Sequence, residues 1–273
     1  MAKPIIKWAG GKRQLLPVFR GMIPEHFGRY FEPFFGSGAL FFDLEPRQAT
    51  IADSNRGLIN LYIRLRKNAG NLANFLSEYQ DAYNSLPSKK EKSEYYYHLR
   101  NEFNRRIHYK RLCTRDAALF IFLNKSCYNG LYRVNSKGIF NTPSAGRQTL
   151  SLCNLEDLME CRKALKNTEI LCGDFECVCE NAVAGDFVYF DSPYYDTFDT
   201  YQAGGFSEND HRRLAGLFHR LTDKGVFCLL SNSDTEFIRN LYDGFDITVV
   251  EAKRMINSDA SNRIGNELII KNY

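Results

Sequence analysis

The chain has 273 residues, of which 44% are hydrophobic and 25% are charged, and its formal net charge is +4. This composition is typical of a globular protein and excludes collagen-like, mucin-like and wholly disordered chains. No stretch approaches the ~20 apolar residues that span a bilayer, and residues 1–7 lack the apolar core of a signal peptide. We therefore expect a soluble, cytoplasmic protein with one large domain or two modest ones.

Eight cysteines are present, and most lie in apolar runs such as residues 226–230. We expect reduced thiols packed as small hydrophobic side chains rather than disulfides, because the chain is large and carries no export signal. Cys172, Cys177 and Cys179 cluster, but they lack the Cys-x-x-Cys pair or partnered His that completes a zinc set. The sequence therefore predicts no metal site.

Short apolar runs alternate with turns near the start of the chain. Strand patterns at residues 30–34 and 49–53 flank a Gly-rich turn and a helical pattern at residues 39–44. This order indicates a doubly wound, mostly parallel α/β sheet. The alternation returns later, with strand patterns at residues 169–172, 187–190, 226–230, 247–250 and 267–271 and helical patterns at residues 207–222 and 234–241.

The middle of the chain has a different character. Long helical patterns run from residue 56 to about residue 122, and residues 124–143 are typical of a hairpin or loop. Nine Lys and Arg against three Glu in residues 89–115 leave a local charge of +6, which indicates either a solvated helix face or a surface for phosphates. We predict a catalytic domain formed by residues 1–55 and 146–273, interrupted by a mainly helical insertion at residues 56–145.

A ligand-binding turn is indicated between the first strand and the first helix of this pattern. Gly36 and Gly38 let the backbone approach a ligand close to the unpaired N–H groups of the helix start. Asp53 ends the next strand, where a carboxylate can accept hydrogen bonds from two ribose hydroxyls. Phe41 stands where a dinucleotide fingerprint needs its third glycine. These features indicate a nucleoside-containing cofactor, and the alternative is an ordinary turn with a capping Asp.

A second ligand segment lies near the N-terminus, where Trp8 precedes Gly10, Gly11 and Lys12. The segment resembles the end of a phosphate-binding P-loop, but Arg13 replaces the required Ser or Thr. An aromatic plate beside a cation and flexible backbone suits a ligand site. The alternative is that Trp8 is a core anchor.

The strand pattern at residues 187–190 leads into Asp191, Ser192, Pro193 and Tyr194. In an open parallel sheet, ligands bind at the carboxyl ends of the strands. The carboxylate of Asp191 and the carbonyl of Ser192 can accept hydrogen bonds from a planar amino group, and Tyr194 can stack on the attached ring. The alternative is a structural turn, because an Asp at a strand end is common without function.

Together and in this order, these segments resemble Dam-type DNA adenine-N6 methyltransferases, which use S-adenosylmethionine. The family's Lys-Trp-Ala-Gly-Gly-Lys matches residues 7–12, its Phe-x-Pro-Phe-x-Gly-x-Gly resembles residues 31–38, and its Asp-Pro-Pro-Tyr corresponds to residues 191–194. The similarity extends to residues 128–133 and 140–143 and spans almost the whole chain. It implies a Rossmann-like methyltransferase fold and a double-stranded DNA substrate, with no membrane and no obligate protein partner.

The resemblance also implies three groups of site residues. The catalytic group is Asp191, Ser192, Pro193 and Tyr194. The cofactor group, in which Asp174 and Phe175 match the pair that holds adenine, is Trp8, Ala9, Gly10, Lys12, Phe34, Gly36, Gly38, Asp53, Asp174, Phe175 and Asp191. The DNA-binding group matches relatives that read GATC and consists of Lys7, Tyr128, Asn129, Leu131, Arg133 and Pro143.

The chemistry of the DNA-binding group agrees with this assignment. An Arg side chain can bind guanine O6 and N7 as a fork, and a Tyr ring can wedge into a base step. For Tyr128, the alternative is an aromatic ring buried in a turn. The basic segment at residues 89–115 then serves as a phosphate-facing surface, for which we expect affinity to fall steeply with salt.

One position departs from the resemblance, because Ser192 stands where the family has a proline. The backbone carbonyl survives this change, but the ring that fixes φ is lost. Ser192 is therefore either a tolerated variant or the mark of a weakened, DNA-binding homologue. A further alternative is a methyltransferase for RNA or another amino group. We expect a bacterial or phage enzyme that methylates adenine N6 in the GATC sites of DNA.

Overall fold

The computed structural model describes residues 2–8, 10–109, 111–152, 154–195, 205–253 and 264–273. Its strands are β1 (Tyr30–Glu32), β2 (Ala49–Asp53), β3 (Thr168–Cys172), β4 (Phe187–Phe190), β5 (Phe227–Ser233), β6 (Asp246–Lys253) and β7 (Ile264–Lys271). They form a seven-stranded sheet in the order β3-β2-β1-β4-β5-β7-β6. β7 is antiparallel to both of its neighbours, and the other pairs are parallel. The predicted doubly wound, mostly parallel α/β sheet is confirmed.

Ten α-helices in the described residues connect and flank these strands. They are α1 (Leu16–Arg20), α2 (Ala39–Leu44), α3 (Arg56–Lys67), α4 (Ala69–Ser85), α5 (Lys89–Arg106), α6 (Thr114–Ser126), α7 (Leu155–Ala164), α8 (Phe175–Cys179), α9 (Glu208–Asp223) and α10 (Glu236–Leu241). Side chains fix several helix starts, as in the capping box of Ser88 and Glu91 that begins α5. Within the described ranges, no helix is long and apolar enough to cross a membrane.

The strand order places a crevice at the end of the sheet where β1, β2 and β4 have their carboxyl ends, and we refer to this end as an edge of the sheet. After β1 the chain moves to β2 and β3 on one side, and it then crosses to β4 and β5 on the other side. The order therefore reverses between β1 and β4. In open α/β sheets, ligands bind at such a switch point, beside the carboxyl ends of the strands. The turns that follow β1, β2 and β4 all lie at this edge.

Hydrophobic clusters cover both faces of the sheet, as the sequence of β4 requires. All four residues of β4 are buried. Phe187 and Tyr189 belong to the larger cluster, with side chains of α2 to α6, whereas Val188 and Phe190 belong to the smaller cluster, with α8 and α9. Successive strand side chains point to opposite faces, so an all-apolar strand needs cover on both.

Some predicted boundaries are wrong. β1 ends at Glu32 instead of residue 34, because Pro33 has no N–H for the ladder. β5 continues to Ser233, beyond the predicted residue 230, because its polar end pairs with β7. α6 extends to Ser126, so the predicted hairpin begins later than residue 124. The division into a catalytic domain and an insertion at residues 56–145 stays a prediction.

The cysteines are free thiols in the described part of the chain. Four of them pack as small hydrophobic side chains, as predicted: Cys127, Cys161, Cys179 and Cys228. The same prediction is wrong for Cys113, Cys172 and Cys177, which are exposed. Cys113 directly precedes α6 and Cys172 ends β3, whereas Cys177 lies on the exposed side of the short helix α8.

Candidate active site and DNA interface

The turn after β1 brings the backbone close to the Trp8 ring. Gly36 and Gly38 have φ of +49° and +67°, which disfavour residues with a side chain. A Cβ on Gly36 would lie 2.7 Å from Trp8 Cδ1. Both glycines are therefore required by backbone conformation, and Gly36 is also required by the packing of Trp8. The structure brings these three predicted cofactor residues together.

Asp53 closes this turn from the end of β2. Its Oδ2 accepts a hydrogen bond from Gly36 N at 3.0 Å, and its Oδ1 accepts one from Asn55 N at 2.9 Å. Burial raises the pKa of Asp53 to about 6, although these two hydrogen bonds act in the opposite direction. An ionised carboxylate has about four acceptor positions. Each oxygen therefore keeps capacity for a hydroxyl of a bound ribose.

Two aromatic rings form a second wall at the same edge. Phe34 and Phe175 stack with their ring centroids 5.3 Å apart. Asp174 is exposed, and its Oδ1 accepts hydrogen bonds from Glu176 N at 3.0 Å and from Arg213 Nη2 at 2.9 Å. The structure thus joins Phe34 to Phe175 but uses the Asp174 carboxylate to cap α8 and pair with Arg213. The predicted adenine-binding role of Asp174 and Phe175 stays a prediction.

Asp191 lies directly after β4 and is paired with a buried lysine. Lys12 Nζ lies 2.8 Å from Asp191 Oδ1, and the Lys12 side chain is almost fully buried. Ser231 Oγ donates to the same carboxylate oxygen at 3.2 Å. The carboxylate is therefore fixed from two sides, by the segment that precedes α1 and by the end of β5.

The Lys12 ammonium is held among acceptors. It donates to Gly10 O at 2.6 Å and lies 4.4 Å from the centroid of the Tyr194 ring. Burial, the largest single effect, lowers the pKa of Lys12, but Asp191, Tyr189 and Glu267 together outweigh it, so the pKa is raised and the ammonium stays charged. Lys12, predicted as a cofactor residue, is thus in direct contact with the catalytic group. Ala9 lies outside the described residues.

Tyr194 is oriented by a carboxylate on β7. Its hydroxyl donates to Glu267 Oε2 at 2.7 Å. Burial, followed by the negative charges of Asp191 and Glu267, raises the pKa of Tyr194 far above its ordinary value, so the phenol stays protonated. The ring is held in place beside Asp191, as a stacking plate requires.

The predicted DNA-binding residues lie on a loop with hairpin-like bridges that follows α6. Tyr128 is 58% exposed, so the alternative of a buried turn aromatic is wrong. Its backbone N–H donates to Pro143 O at 2.9 Å, which closes the base of the loop. Asn129 has a φ of +55° and is exposed beside Tyr128. Arg133 Nε donates to Asn141 Oδ1 at 2.8 Å.

We call residues 127–144 the recognition loop. Its side towards the N-terminal segment is held by Asn124. Lys7 N donates to Asn124 Oδ1 at 3.0 Å, and Asn124 Nδ2 donates to Lys7 O at 2.8 Å and to Gly130 O at 3.1 Å. Lys7, Asn129 and Pro143 are exposed, and Leu131 is half-buried. The structure therefore brings all six predicted DNA-binding residues to one region.

The other side of the recognition loop rests on α5. Tyr96 Oη donates to Thr142 O at 2.8 Å, and Arg100 Nη1 donates to the same oxygen at 3.2 Å. Asn104 makes a double contact with Phe140: its Nδ2 donates to the carbonyl at 2.9 Å, and its Oδ1 accepts from the amide at 3.0 Å. Side chains of α5 thus fix the backbone of a loop that has little ladder pairing of its own.

A stack of rings connects the recognition loop to the turn after β1 that contains Gly36 and Gly38. Trp8 lies 5.4 Å from Tyr132, and Tyr132 lies 5.2 Å from Phe140, with interplanar angles of 21° and 29°. Trp8 also packs on Gly36. Trp8 is therefore both a core anchor and a wall of the crevice, and the two interpretations from the sequence are compatible.

Comparison with known proteins identifies the family. Residues 8–256 match the D12 class of N6 adenine-specific DNA methyltransferases. The chain belongs to this family. It is 40% identical to the type II methyltransferase M.MjaIII of Methanocaldococcus jannaschii, over 99% of both chains. It is 38% identical to M1.LlaDCHI of Lactococcus lactis subsp. cremoris, over 99% of this chain and 95% of that protein. It is 34% identical to the DNA adenine methylase of Serratia marcescens, over 96% of this chain and 94% of that protein.

The predicted enzyme class is thus confirmed: the protein is an adenine-N6 DNA methyltransferase with a Rossmann-like methyltransferase fold. Family membership favours DNA over the alternative of an RNA substrate. It also implies S-adenosylmethionine as the methyl donor. The residues of the crevice fit that molecule, because the half-buried Asp53 keeps acceptor capacity beside the turn and the stacked rings of Phe34 and Phe175 offer an apolar surface for a planar base.

The basic segment of this methyltransferase is largely occupied by internal contacts. Five of its nine cations bind acceptors within the chain: Lys90 with Glu94, Lys92 with Gln148 O, Arg100 with the recognition loop, Arg106 with Asp116, and Arg115 with Glu78. Lys89, Arg105 and Arg111 are exposed. Only part of the local charge of +6 is therefore available to phosphates.

Sequence reasoning missed the side chains that hold the site. Asn124 is a buried polar residue within the apolar run of α6, and that anomaly is a usable signal. Ser231 and Asn232 follow four apolar residues at the carboxyl end of β5, so the rule that locates Asp191 also locates them. Glu267 offers no comparable signal, because its position depends on how β7 pairs with β5.

Proposed function

We propose that this methyltransferase acts on the adenine of GATC in double-stranded DNA, after that base has rotated out of the duplex. The observation that carries the proposal is the exposure of Tyr128, at 58%, on the loop that also fixes Arg133 by its Nε. Within the described residues, the two terminal nitrogens of Arg133 have no acceptor at hydrogen-bond distance. An anchored guanidinium whose two terminal nitrogens have no such acceptor suits the bidentate contact to guanine O6 and N7.

The cofactor is held by the crevice between β1 and β4. Asp53 would accept hydrogen bonds from the ribose hydroxyls, and Trp8, which packs on Gly36, would form a wall. Phe34 and Phe175 supply an apolar surface for a planar base. When bound, S-adenosylmethionine supplies a methyl group on a positively charged sulfur.

Asp191 and Ser192 prepare the adenine amino group. Its nitrogen is a poor nucleophile, because the lone pair is delocalised into the ring. Hydrogen bonds from its two N–H groups to the Asp191 carboxylate and the Ser192 carbonyl favour a pyramidal nitrogen whose lone pair can react. Lys12 forms an ion pair with Asp191 and Ser231 fixes its orientation, so the acceptor is ready before the substrate arrives.

Tyr194 stabilises the base outside the duplex. Rotating a base out of the stack costs about a few kcal/mol, and stacking in the pocket offsets part of that cost. Glu267 holds the Tyr194 hydroxyl, so the ring is already oriented in the free enzyme. Tyr128 and Leu131 lie on the recognition loop, where they can fill the space that the base leaves.

The test is the transfer of a tritiated methyl group from S-adenosylmethionine to two duplexes that differ only in GATC or GTTC on both strands. We expect incorporation into the GATC duplex alone, recovered as N6-methyladenine. Equal incorporation into both duplexes would support the methyltransferase activity and overturn the proposed recognition of GATC. Methylation of a duplex that contains another adenine site, with none at GATC, would assign the recognition loop to a different sequence.

A further inference from the structure

Ser192 replaces the proline of the related motif, and its side chain forms a hydrogen bond. Ser192 is 2% exposed, and its Oγ accepts a hydrogen bond from Asn232 Nδ2 at 3.3 Å. Asn232 is fully buried. A hydroxyl in this position can accept from an amide, whereas a proline ring has no atom that can.

The same Asn232 side chain holds the other end of the turn. Its Oδ1 accepts from Tyr195 N at 3.0 Å, while Ser233 Oγ donates to Tyr195 O at 2.6 Å. One amide therefore bridges Ser192 and Tyr195, the residues on either side of Pro193 and Tyr194. The turn is clamped at both ends from β5.

The register of the sheet explains why β5 supplies the clamp. Phe190 pairs with Leu230 as the last matched position of β4 and β5. One residue further, Ser231 donates to Asp191, and two residues further, Asn232 donates to Ser192. We call residues 191–195 the catalytic turn. The end of β5 thus supplies one hydrogen bond to each of the first two residues of this turn.

We propose that Asn232 is a positioning residue, whose amide fixes the catalytic turn through Ser192 Oγ and Tyr195 N and replaces the restraint that proline provides in the related motif. A proline ring fixes φ near −65°, about the range that a turn needs. Without that ring, the Ser192 carbonyl has more freedom to leave the direction of the adenine amino group. The hydrogen bond restores the restraint through the side chain. The inference rests on the proposed role of the Asp191–Tyr194 turn.

The proposal makes Ser192 a tolerated variant and predicts a specific pattern of rates. We expect Ser192→Ala to lower the single-turnover rate of methyl transfer about tenfold, because the buried amide of Asn232 loses its acceptor. Ser192→Pro should lose less of the rate than Ser192→Ala, because the ring supplies the lost restraint. Asn232→Ala should slow the parent about tenfold or more and should slow the Ser192→Pro enzyme less, and that difference is a measurable coupling.

A matched control lies at the opposite edge of the sheet. Thr222 Oγ1 accepts from Asn272 Nδ2 at 2.7 Å, so it forms the same hydroxyl–amide pair far from the catalytic turn. Thr222→Ala should lower Tm without changing the rate. In Ser192→Ala, cofactor affinity and burst amplitude should remain at the parental values while the rate constant falls. A merely structural defect would reduce the burst amplitude instead.

Two results would overturn the proposal. One is a parental rate in Ser192→Ala. The other is a rate in Ser192→Pro at least about tenfold above the parent, since Ser192 would then be the cause of a weakened enzyme. If Ser192→Ala does not fold, Asn232→Ala replaces it, and a parental rate there is equally decisive against the proposal. Asp191→Asn separates this failure from failure of the site assignment: a parental rate in that variant would show that the turn itself is not catalytic.

Discussion

The catalytic turn and the recognition loop are held in different ways. The catalytic turn, residues 191–195, continues a parallel strand and is supported by the end of the neighbouring strand and by Lys12. The recognition loop has only isolated bridges and is supported by side chains of α5 and by Asn124, which bond to its backbone. The sheet therefore positions the proposed catalytic residues, whereas helices position the loop that we propose reads DNA.

This difference separates chemistry from recognition. Changes at the sheet edge should lower the rate of methyl transfer and leave DNA selection intact. Changes behind the recognition loop should lower DNA affinity or selectivity and leave cofactor binding intact. Trp8 connects the edge of the sheet to the recognition loop, because it packs on Gly36 in the turn after β1 and on Tyr132 in the loop.

The largest effect is expected for Asp191→Asn. We expect the rate of methyl transfer to fall at least ~100-fold, about 2.7 kcal/mol, because an oriented charge that acts in the transition state is lost. Asp223→Asn is the control, since that carboxylate is exposed at the end of α9. The measurement is single-turnover transfer at saturating cofactor. A rate within threefold of the parent, about 0.65 kcal/mol, would remove Asp191 from the chemistry.

Arg133→Ala should change selectivity with little effect on the chemical step. We expect a loss of about 1–3 kcal/mol in the discrimination between GATC and a site with another first base, because the guanidinium fork is removed. Arg111→Ala, an exposed cation outside the loop, is the control. Replacing the guanine by 7-deazaguanine should slow the parent and leave Arg133→Ala unaffected. An equal effect on both enzymes would show that Arg133 does not contact guanine N7.

How the recognition loop is supported could not be predicted from the sequence. Asp191 and Asp53 were located because carboxyl ends of parallel strands meet at one edge, a rule that needs only the strand pattern. The exposure of Tyr128 and the contacts of Tyr96, Arg100 and Asn104 depend on how helices pack across dozens of residues. The internal contacts of the basic segment could not be predicted for the same reason, because a local charge count does not show which cations bind acceptors within the chain.

Asn104→Ala tests the support of the recognition loop. It removes two hydrogen bonds to the backbone of Phe140, and we expect DNA affinity to fall about tenfold, in line with about 1–3 kcal/mol for a buried group left unpaired. Asn84 provides a matched control, because its side chain makes the same double contact with Leu150 at 2.9 Å each. Asn84→Ala should lower Tm comparably without weakening DNA binding. Equal loss of DNA affinity in both variants would contradict a specific role for Asn104.

Asp53 makes cofactor binding dependent on pH. Because burial raises its pKa to about 6, the carboxylate gains a proton as the pH falls through that value and loses acceptor capacity. We expect binding of S-adenosylhomocysteine to weaken up to about tenfold between pH 7 and pH 5, measured by calorimetry. Asp53→Asn should bind weakly at both values. A pH dependence that persists in Asp53→Asn would assign the titration to another group.

The same group affects stability with the opposite sign. Its pKa in the folded protein exceeds the ordinary value of 3.8, so the folded state binds the proton more tightly. The contribution of Asp53 to the free energy of unfolding should therefore fall as the pH rises from about 4 to about 6, and it should stay constant above that range. Asp53→Asn should remove this part of the pH dependence in urea unfolding. Cofactor affinity and stability thus respond to acid in opposite directions at this residue.

The smallest effect is expected in the basic segment. Most of its cations are engaged within the chain, so replacing the exposed Arg105 by Ala should reduce the slope of log affinity against log salt by no more than about one. Binding of S-adenosylhomocysteine should not respond to the change. A parental slope near zero between about 50 and 200 mM salt would show that the segment is a solvated helix face. A reduction by about three or more would mean that Arg105 organises the whole phosphate contact, and recognition would then depend on α5 directly rather than through the loop that α5 supports.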